Sequence, residues 1–174
     1  GSRCGQMDNS FTSGNADSGF YIGECYPCDS VIHDVEAFQN ALGYSGTNAG
    51  GNLVLRDSKW TENAMGIVPN SLDGEERPPQ RGATIKNNVV INNNKHDAPG
   101  VGIAGQYFGA GIVIAGGTAN SVYGNTVRDH ALAGIALTPL PDRNVWIATG
   151  NTVWGNTVSH DAVRFPDSYD LAQG

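Results

Sequence analysis

The sequence predicts an all-β fold, a right-handed parallel β-helix of about six coils, and three observations predict it. The chain repeats itself: "VYGNTV" at 122–127 returns as "VWGNTV" at 153–158, matching Val122 with Val153, Tyr123 with Trp154 and Asn125 with Asn156. The same register runs back through the chain, placing Asn88, Asp57, Asp34 and Asn9 in that asparagine column at intervals of 25, 23, 31, 37 and 31. Nine or ten residues after the column stands a glycine, Gly19, Gly43, Gly66 and Gly134, with Gly111 joining once fourteen residues are inserted before it. Self-similarity at 20–50 residues marks a repeat architecture.

The unit of about 23 residues is thus "QMDNSF" to "SGFYI", "VIHDVEAF" to "ALGYS", "VLRDSKW" to "AMGIV", "IKNNVV" to "GAGIVI", "VYGNTV" to "LAGIAL", and finally "VWGNTV". Each unit holds two or three short strands that cannot bury an apolar face alone but can when stacked about 4.8 Å apart. Three residues before the asparagine column an apolar residue recurs, Val31, Val54, Ile85, Val122 and Val153, with Gln6 the exception. These five are expected to form one buried aliphatic ladder. The Asn/Asp column is expected at corners, because asparagine tolerates left-handed backbone and its amide can bond the rungs above and below. A leucine-rich repeat has a similar period but needs a leucine consensus, and a β-sandwich would not share one register across the chain. Parallel crossovers set the right hand.

The length of 174 residues fits one domain, 1–174, and 24 glycines with 16% charged residues suit tight corners and lightly charged faces. Both termini read as unfinished: "GSRCGQ" begins inside a coil, and "SYDLAQG" at 168–174 supplies no capping helix. The chain therefore reads as a piece of a longer β-helix, with Gly1-Ser2 a cloning remnant. It holds no run of 18 apolar residues, so no membrane-spanning helix is expected. A net charge of −7, with ten basic residues scattered along the chain, argues against a nucleic-acid partner. It also disfavours a polyanion unless calcium bridges it. A neutral glycan and a Ca2+-bridged uronate both stay open as ligands, and oligomeric state is not read from these features.

The stretches "SGFYIGECYPCDS", "GYSGTNAGG", "GIVPNSLDGE" and "PPQRG", within residues 18–82, carry a resemblance. They are similar to right-handed parallel β-helix repeat proteins, specifically a secreted bacterial branch of the pectate-lyase-like superfamily. That superfamily includes pectate lyases, polygalacturonases, alginate epimerases, phage tailspikes and periplasmic sugar-binding factors. The resemblance implies a secreted or cell-surface protein with a polysaccharide or oligosaccharide partner, acting as a lyase, hydrolase or epimerase. The alternative is a noncatalytic glycan-binding or structural cell-surface module, since fold does not carry function. Neither an Arg or Lys base over a calcium-binding Asp cluster nor a "DPHE" stretch can be assigned, and "RDH" and "SHD" do not match those patterns.

Three cysteines fall within one coil length. Cys4 and Cys28 are 24 residues apart, one coil, so a disulfide between stacked positions is expected; Cys25–Cys28 in "CYPC" is the other pairing. A zinc site from the three thiolates and His33 is a third reading.

Two sets of residues are candidates for function. Inserted loops are expected at 69–82, 95–109 and 138–150. The first and third lengthen their coils at one equivalent place and should wall a groove. They offer Asp73, Glu75, Glu76, Arg77 and Arg81 on one side and Asp142, Arg143, Asn144 and Trp146 on the other. A tryptophan beside carboxylates and arginines can stack on a sugar ring and bond its hydroxyls; packing of the loops onto the rod is the plainer role. The register also stacks Asp129 under His160 and His130 under Asp161, two pairs that could supply acid/base catalysis or hold a divalent metal if they converge. His96-Asp97 is expected to hang over that strip, which continues through Asn92, Asn93, Thr61 and Glu62; a solvated corner is the alternative.

Overall fold

Corners decide where each strand ends. In the computed structural model, which describes residues 4–162, every coil turns at left-handed residues arranged in three columns. One column holds Asn9, Asp34, Asp57, Asn87, Gly124 and Gly155, with φ of 45, 51, 49, 55, 66 and 61°. A second holds Gly14, Gln39, Glu62, Asn92, Asp129 and His160, and a third Cys4, Asp29, Asn52, Gly82, Ala119 and Gly150. Asn, Asp and Gly dominate because they adopt this backbone at least cost. Gly1-Ser2 and 168–174, on which the reading of the termini rests, lie outside the described residues.

Between the corners run three parallel sheets. The first comprises Gln6–Asp8, Ser30–His33, Gly50–Arg56, Arg81–Lys86, Ser121–Tyr123 and Thr152–Trp154. The second comprises Phe11–Ser13, Glu36–Phe38, Lys59–Thr61, Val89–Ile91, Thr126–Arg128 and Thr157–Ser159. The third comprises Ser18–Tyr21, Leu42–Thr47, Met65–Asn70, Ala110–Ala115 and Ala133–Thr138. Six strands in each of two sheets and five in the third make a β-helix of about six coils. Among the described residues the helical segment is a short 3-10 stretch, Val101–Tyr107, and no helix is long and apolar enough to cross a membrane.

The register corrects the expected aliphatic ladder. Ile85 pairs with Leu55 and Lys86 with Arg56, so Asn87, not Asn88, stacks on Asp57. The inward column is therefore Met7, Ile32, Leu55, Ile85, Val122 and Val153. Val31 and Val54 lie one position off and are only half-buried, because a shift of one residue moves a strand side chain to the other face. Val153 keeps its inward place but is 41% exposed on the last coil. The same slip takes Thr61 out of the column that holds Glu62, Asn92 and Asp129.

The residue after each first-type corner forms the expected amide ladder, in the upper coils only. Asn88 Nδ2 donates to Asn125 Oδ1 at 3.0 Å, and Asn125 Nδ2 to Asn156 Oδ1 at 2.9 Å. A longer ladder follows the second corner: Asn15 donates to Asn40 at 2.7 Å, Asn40 to Asn63 at 3.0 Å and Asn63 to Asn93 at 2.9 Å. Each acceptor oxygen also takes the backbone N–H of the rung before it, so buried polar groups are satisfied in pairs. This ladder explains the glycine column. A Cβ on Gly43 would lie 2.7 Å from the Gly66 carbonyl oxygen and 3.0 Å from the Asn63 amide, and one on Gly111 would lie 2.6 Å from the Gly134 carbonyl oxygen.

The disulfide joins Cys25 and Cys28, with Cα atoms 4.9 Å apart, and leaves Cys4 free and exposed. Cys4 does not pair with Cys28 because the register sets it opposite Asp29, at a left-handed corner, while Cys28 is fully buried in the core. No group of three or more His, Cys, Asp or Glu side chains that could hold a metal occurs among the described residues.

Candidate functional site

The third sheet carries a concave surface on its outer face. Along its strands Tyr44, Ile67 and Ile112 enter the core, so their neighbours Ser45, Val68 and Val113, and beyond them Thr47, Asn70 and Ala115, face outward. At one end of these strands the chain leaves coil four as an insertion through residues 95–109. Val101, Tyr107 and Phe108 of that lobe pack on a second apolar cluster with Leu42, Met65 and Val113. The outer face is therefore covered there, and Leu42–Thr47 and Ala110–Ala115 are buried along their whole length. At the other end rises the loop 71–80.

A cleft of about 290 Å³ lies between lobe and loop. Its floor is polar where Thr47 Oγ1 donates to Asn70 Oδ1 at 2.9 Å and Asn70 Nδ2 to Ser45 Oγ at 3.3 Å. Leu42, Met65 and Val68 make the apolar remainder of the floor, and Tyr107 and Ala104 form the lobe wall. Leu72 and Glu75 form the facing wall, anchored by buried Asn48, whose amide donates to the Leu72 carbonyl at 2.7 Å and the Glu75 carbonyl at 3.2 Å. At the first coil's edge stand Asp17 and Tyr21. The Tyr21 hydroxyl donates to Glu75 Oε2 at 3.0 Å; burial, and then this bond, push its pKa up to about 12, so it stays a donor.

The loops expected to wall a groove meet each other. Asn144 donates to Asp73 through its backbone N–H and its amide, both at 2.7 Å, and the Asp73 N–H donates to Asp142 at 2.7 Å. The Asn144 backbone N–H, then its amide, hold the Asp73 carboxyl below the usual carboxylate range. The antiparallel hairpin of Leu140–Pro141 and Val145–Trp146 follows from this clasp and brings Leu140 into the cleft. Of the nine side chains expected to bind substrate, only Glu75 lines the cleft. Glu76, Arg77 and Arg143 are exposed, the Arg81 guanidinium lies 3.8 Å over the Tyr26 ring, and Trp146 is half-buried against Gly116.

The His/Asp strip stacks in the expected order but does not converge. Asp129 and His160 occupy the second corner, 3.6 Å apart, with the imidazole 76% exposed. His130 and Asp161 point inward and continue the long asparagine ladder: Asn93 Nδ2 donates to His130 Nε2 at 3.0 Å, and His130 Nδ1 lies 2.8 Å from Asp161 Oδ1. His130 is fully buried, and burial pushes its pKa down. Asp161 Oδ2 is buried without a partner among the described residues. His96 packs against Phe108 with centroids 4.4 Å apart and the rings tilted by 38°, and Asp97 pairs with Lys95 at 3.0 Å.

Residues 1–157 match the family described as the right-handed beta helix region. The chain belongs to this family. No curated protein and no solved structure matches this β-helix. Its cleft was hidden from sequence reasoning apart from Glu75 and the positions of the loops. Ser45, Thr47 and Asn70 are small polar residues inside strands, a pattern that also describes an ordinary solvated face, and Tyr21 lies inside the quoted "SGFYI" with no sign of its orientation.

Proposed function

We propose that this β-helix binds a glycan segment in the cleft on its third sheet and acts at the cell surface or in secretion. The observation that carries the reading is the cleft itself. It combines tyrosine rings and aliphatic floor, which pack on the apolar faces of a sugar, with Ser45, Thr47, Asn70 and Glu75 to bond its hydroxyls. The similarity of residues 18–82 to the secreted, pectate-lyase-like branch supports a polysaccharide ligand, and the Cys25–Cys28 disulfide supports an oxidising compartment. A second reading, glycan cleavage, is favoured by Glu75, a carboxylate on the cleft wall that can act as a general acid or base.

A polysaccharide panel, with calcium or with EDTA, tests both. Binding is expected to weaken about 5- to 30-fold in Asn70→Ala and in Tyr107→Ala, the loss of roughly 1–2 kcal/mol of hydrogen bonding or ring contact. Retention unaffected by both variants would remove the cleft as the site. New unsaturated or reducing ends that disappear in Glu75→Gln would establish cleavage; binding without product selects the noncatalytic module.

A further inference from the structure

The charges lining the cleft are all of one sign. Among the described residues, Asp17 and Glu75 line it, and no lysine, arginine or histidine does. Of the bases on the flanking segments, Arg81 lies over Tyr26 and donates to the Pro79 carbonyl at 2.9 Å, Lys95 is paired with Asp97, and Arg77 and Arg143 are exposed and outside the cleft lining. The two carboxylates are far apart. Asp17 stands just before the strand Ser18–Tyr21, its Cα up to about 13 Å from that of Tyr21 at the rise of a strand, and Glu75 is held at the Tyr21 hydroxyl. Each carboxylate has one oxygen engaged, Asp17 Oδ1 by the Ser18 hydroxyl at 3.0 Å and Glu75 Oε2 by Tyr21 at 3.0 Å. Among the described residues Asp17 Oδ2 and Glu75 Oε1 have no partner.

A uronate would meet like charge at both ends of this cleft, and a neutral sugar would gain only hydroxyl hydrogen bonds there, without charge pairing. An ammonium group would gain at each. We infer that the cleft takes an amino-sugar oligomer with free amines, of the β-linked glucosamine kind, in preference to its N-acetylated counterpart or a uronate. The inference rests on the reading of the cleft as a glycan site. It commits to charge pairing at two points separated by more than one sugar ring, so the ligand is an oligomer and not a monosaccharide.

Calorimetric titration of the chain with glucosamine, N-acetylglucosamine and galacturonate oligomers of equal length tests it. The glucosamine oligomer is expected to bind about tenfold tighter than the acetylated one, with galacturonate weakest, and added salt is expected to shrink the difference. The preference should vanish in an Asp17→Asn, Glu75→Gln double variant and persist in Glu36→Gln, which removes a carboxylate on the second sheet. Circular dichroism on all three proteins checks that the fold is kept. Equal or tighter binding of the acetylated oligomer overturns the amino-sugar inference and leaves the glycan site standing. A preference that survives in the double variant, or is lost in Glu36→Gln, overturns it by showing attraction to the acidic chain as a whole. Failure of every oligomer to bind overturns the glycan site as well.

Discussion

His130 stands where four earlier coils hold asparagine, at Asn15, Asn40, Asn63 and Asn93, and the ladder dictates its proton. Asn93 Oδ1 is already taken by the Asn63 backbone N–H and amide, so Asn93 presents its NH2 to His130, and Nε2 must accept. The proton then sits on Nδ1 and is donated to Asp161. Protonating Nε2 would set donor against donor inside the core. Burial outweighs the Asp161 and Asp129 carboxylates, and the folded pKa falls below the ordinary 6.5. A depressed histidine pKa contributes stability above the unfolded value that is lost as pH falls below it. The wild-type thermal midpoint is therefore expected to drop, as pH falls below about 6.5, relative to a His130→Asn variant, which keeps the ladder without the titration. Parallel curves for the two proteins in that window would show that His130 carries no such linkage. The stacking of these residues was legible in the sequence because coils five and six join at a constant interval of 31; their divergence was not, since neighbours on a strand or corner face opposite ways.

At the scale of the strands, the sequence located every coil yet misplaced one. The doublet Asn87-Asn88 allows two alignments, one pairing Asn87 with Asp57 at a left-handed corner and one pairing Asn88 with Asn125 in an amide ladder. Both columns are real and adjacent, and a single Asn/Asp column merged them. The glycine column survived intact because its steric cause, the ladder side chain or carbonyl of a neighbouring coil, recurs in five coils. The cleft floor was not legible for a related reason: a sheet face under a lobe depends on contacts from residues 95–109 that no local periodicity encodes. The corrected register has a direct consequence. Ile85 is fully buried in the inward column, so Ile85→Ala is expected to cost about 2–5 kcal/mol, whereas half-buried Val54→Ala should cost under about 1 kcal/mol. Denaturant unfolding measures both, and equal losses would return Val54 to the core.

Across the whole molecule, the inward face of each coil is buried chiefly by the coils on either side of it. Inward Val122 and Val127 are fully buried, while their equivalents one coil later, Val153 and Val158, are 41% and 49% exposed, and Trp154, stacked on Tyr123, is 56% exposed. The local sequence is nearly the same in both coils, so the difference in burial comes from position in the stack. In a solenoid the stability of a coil is its own contribution plus that of its interfaces. Coils three and four have two well-packed neighbours, the Trp60 core contact and the covering lobe. Opening should therefore be graded along the rod. Hydrogen exchange followed by mass spectrometry is expected to find the slowest amides in Gly50–Arg56, Met65–Asn70 and Ala110–Ala115. Thr152–Trp154 and Thr157–Ser159, paired on one side only among the described residues, should exchange faster than Ser121–Tyr123 and Thr126–Arg128, which are paired on both. Truncating Val127 to Ala should then speed exchange in the coils on both sides of it, and truncating Val158 should do so only in coils five and six. A single exchange rate across all coils would mean that the rod opens as one unit, and the nearest-neighbour account of its stability would fail.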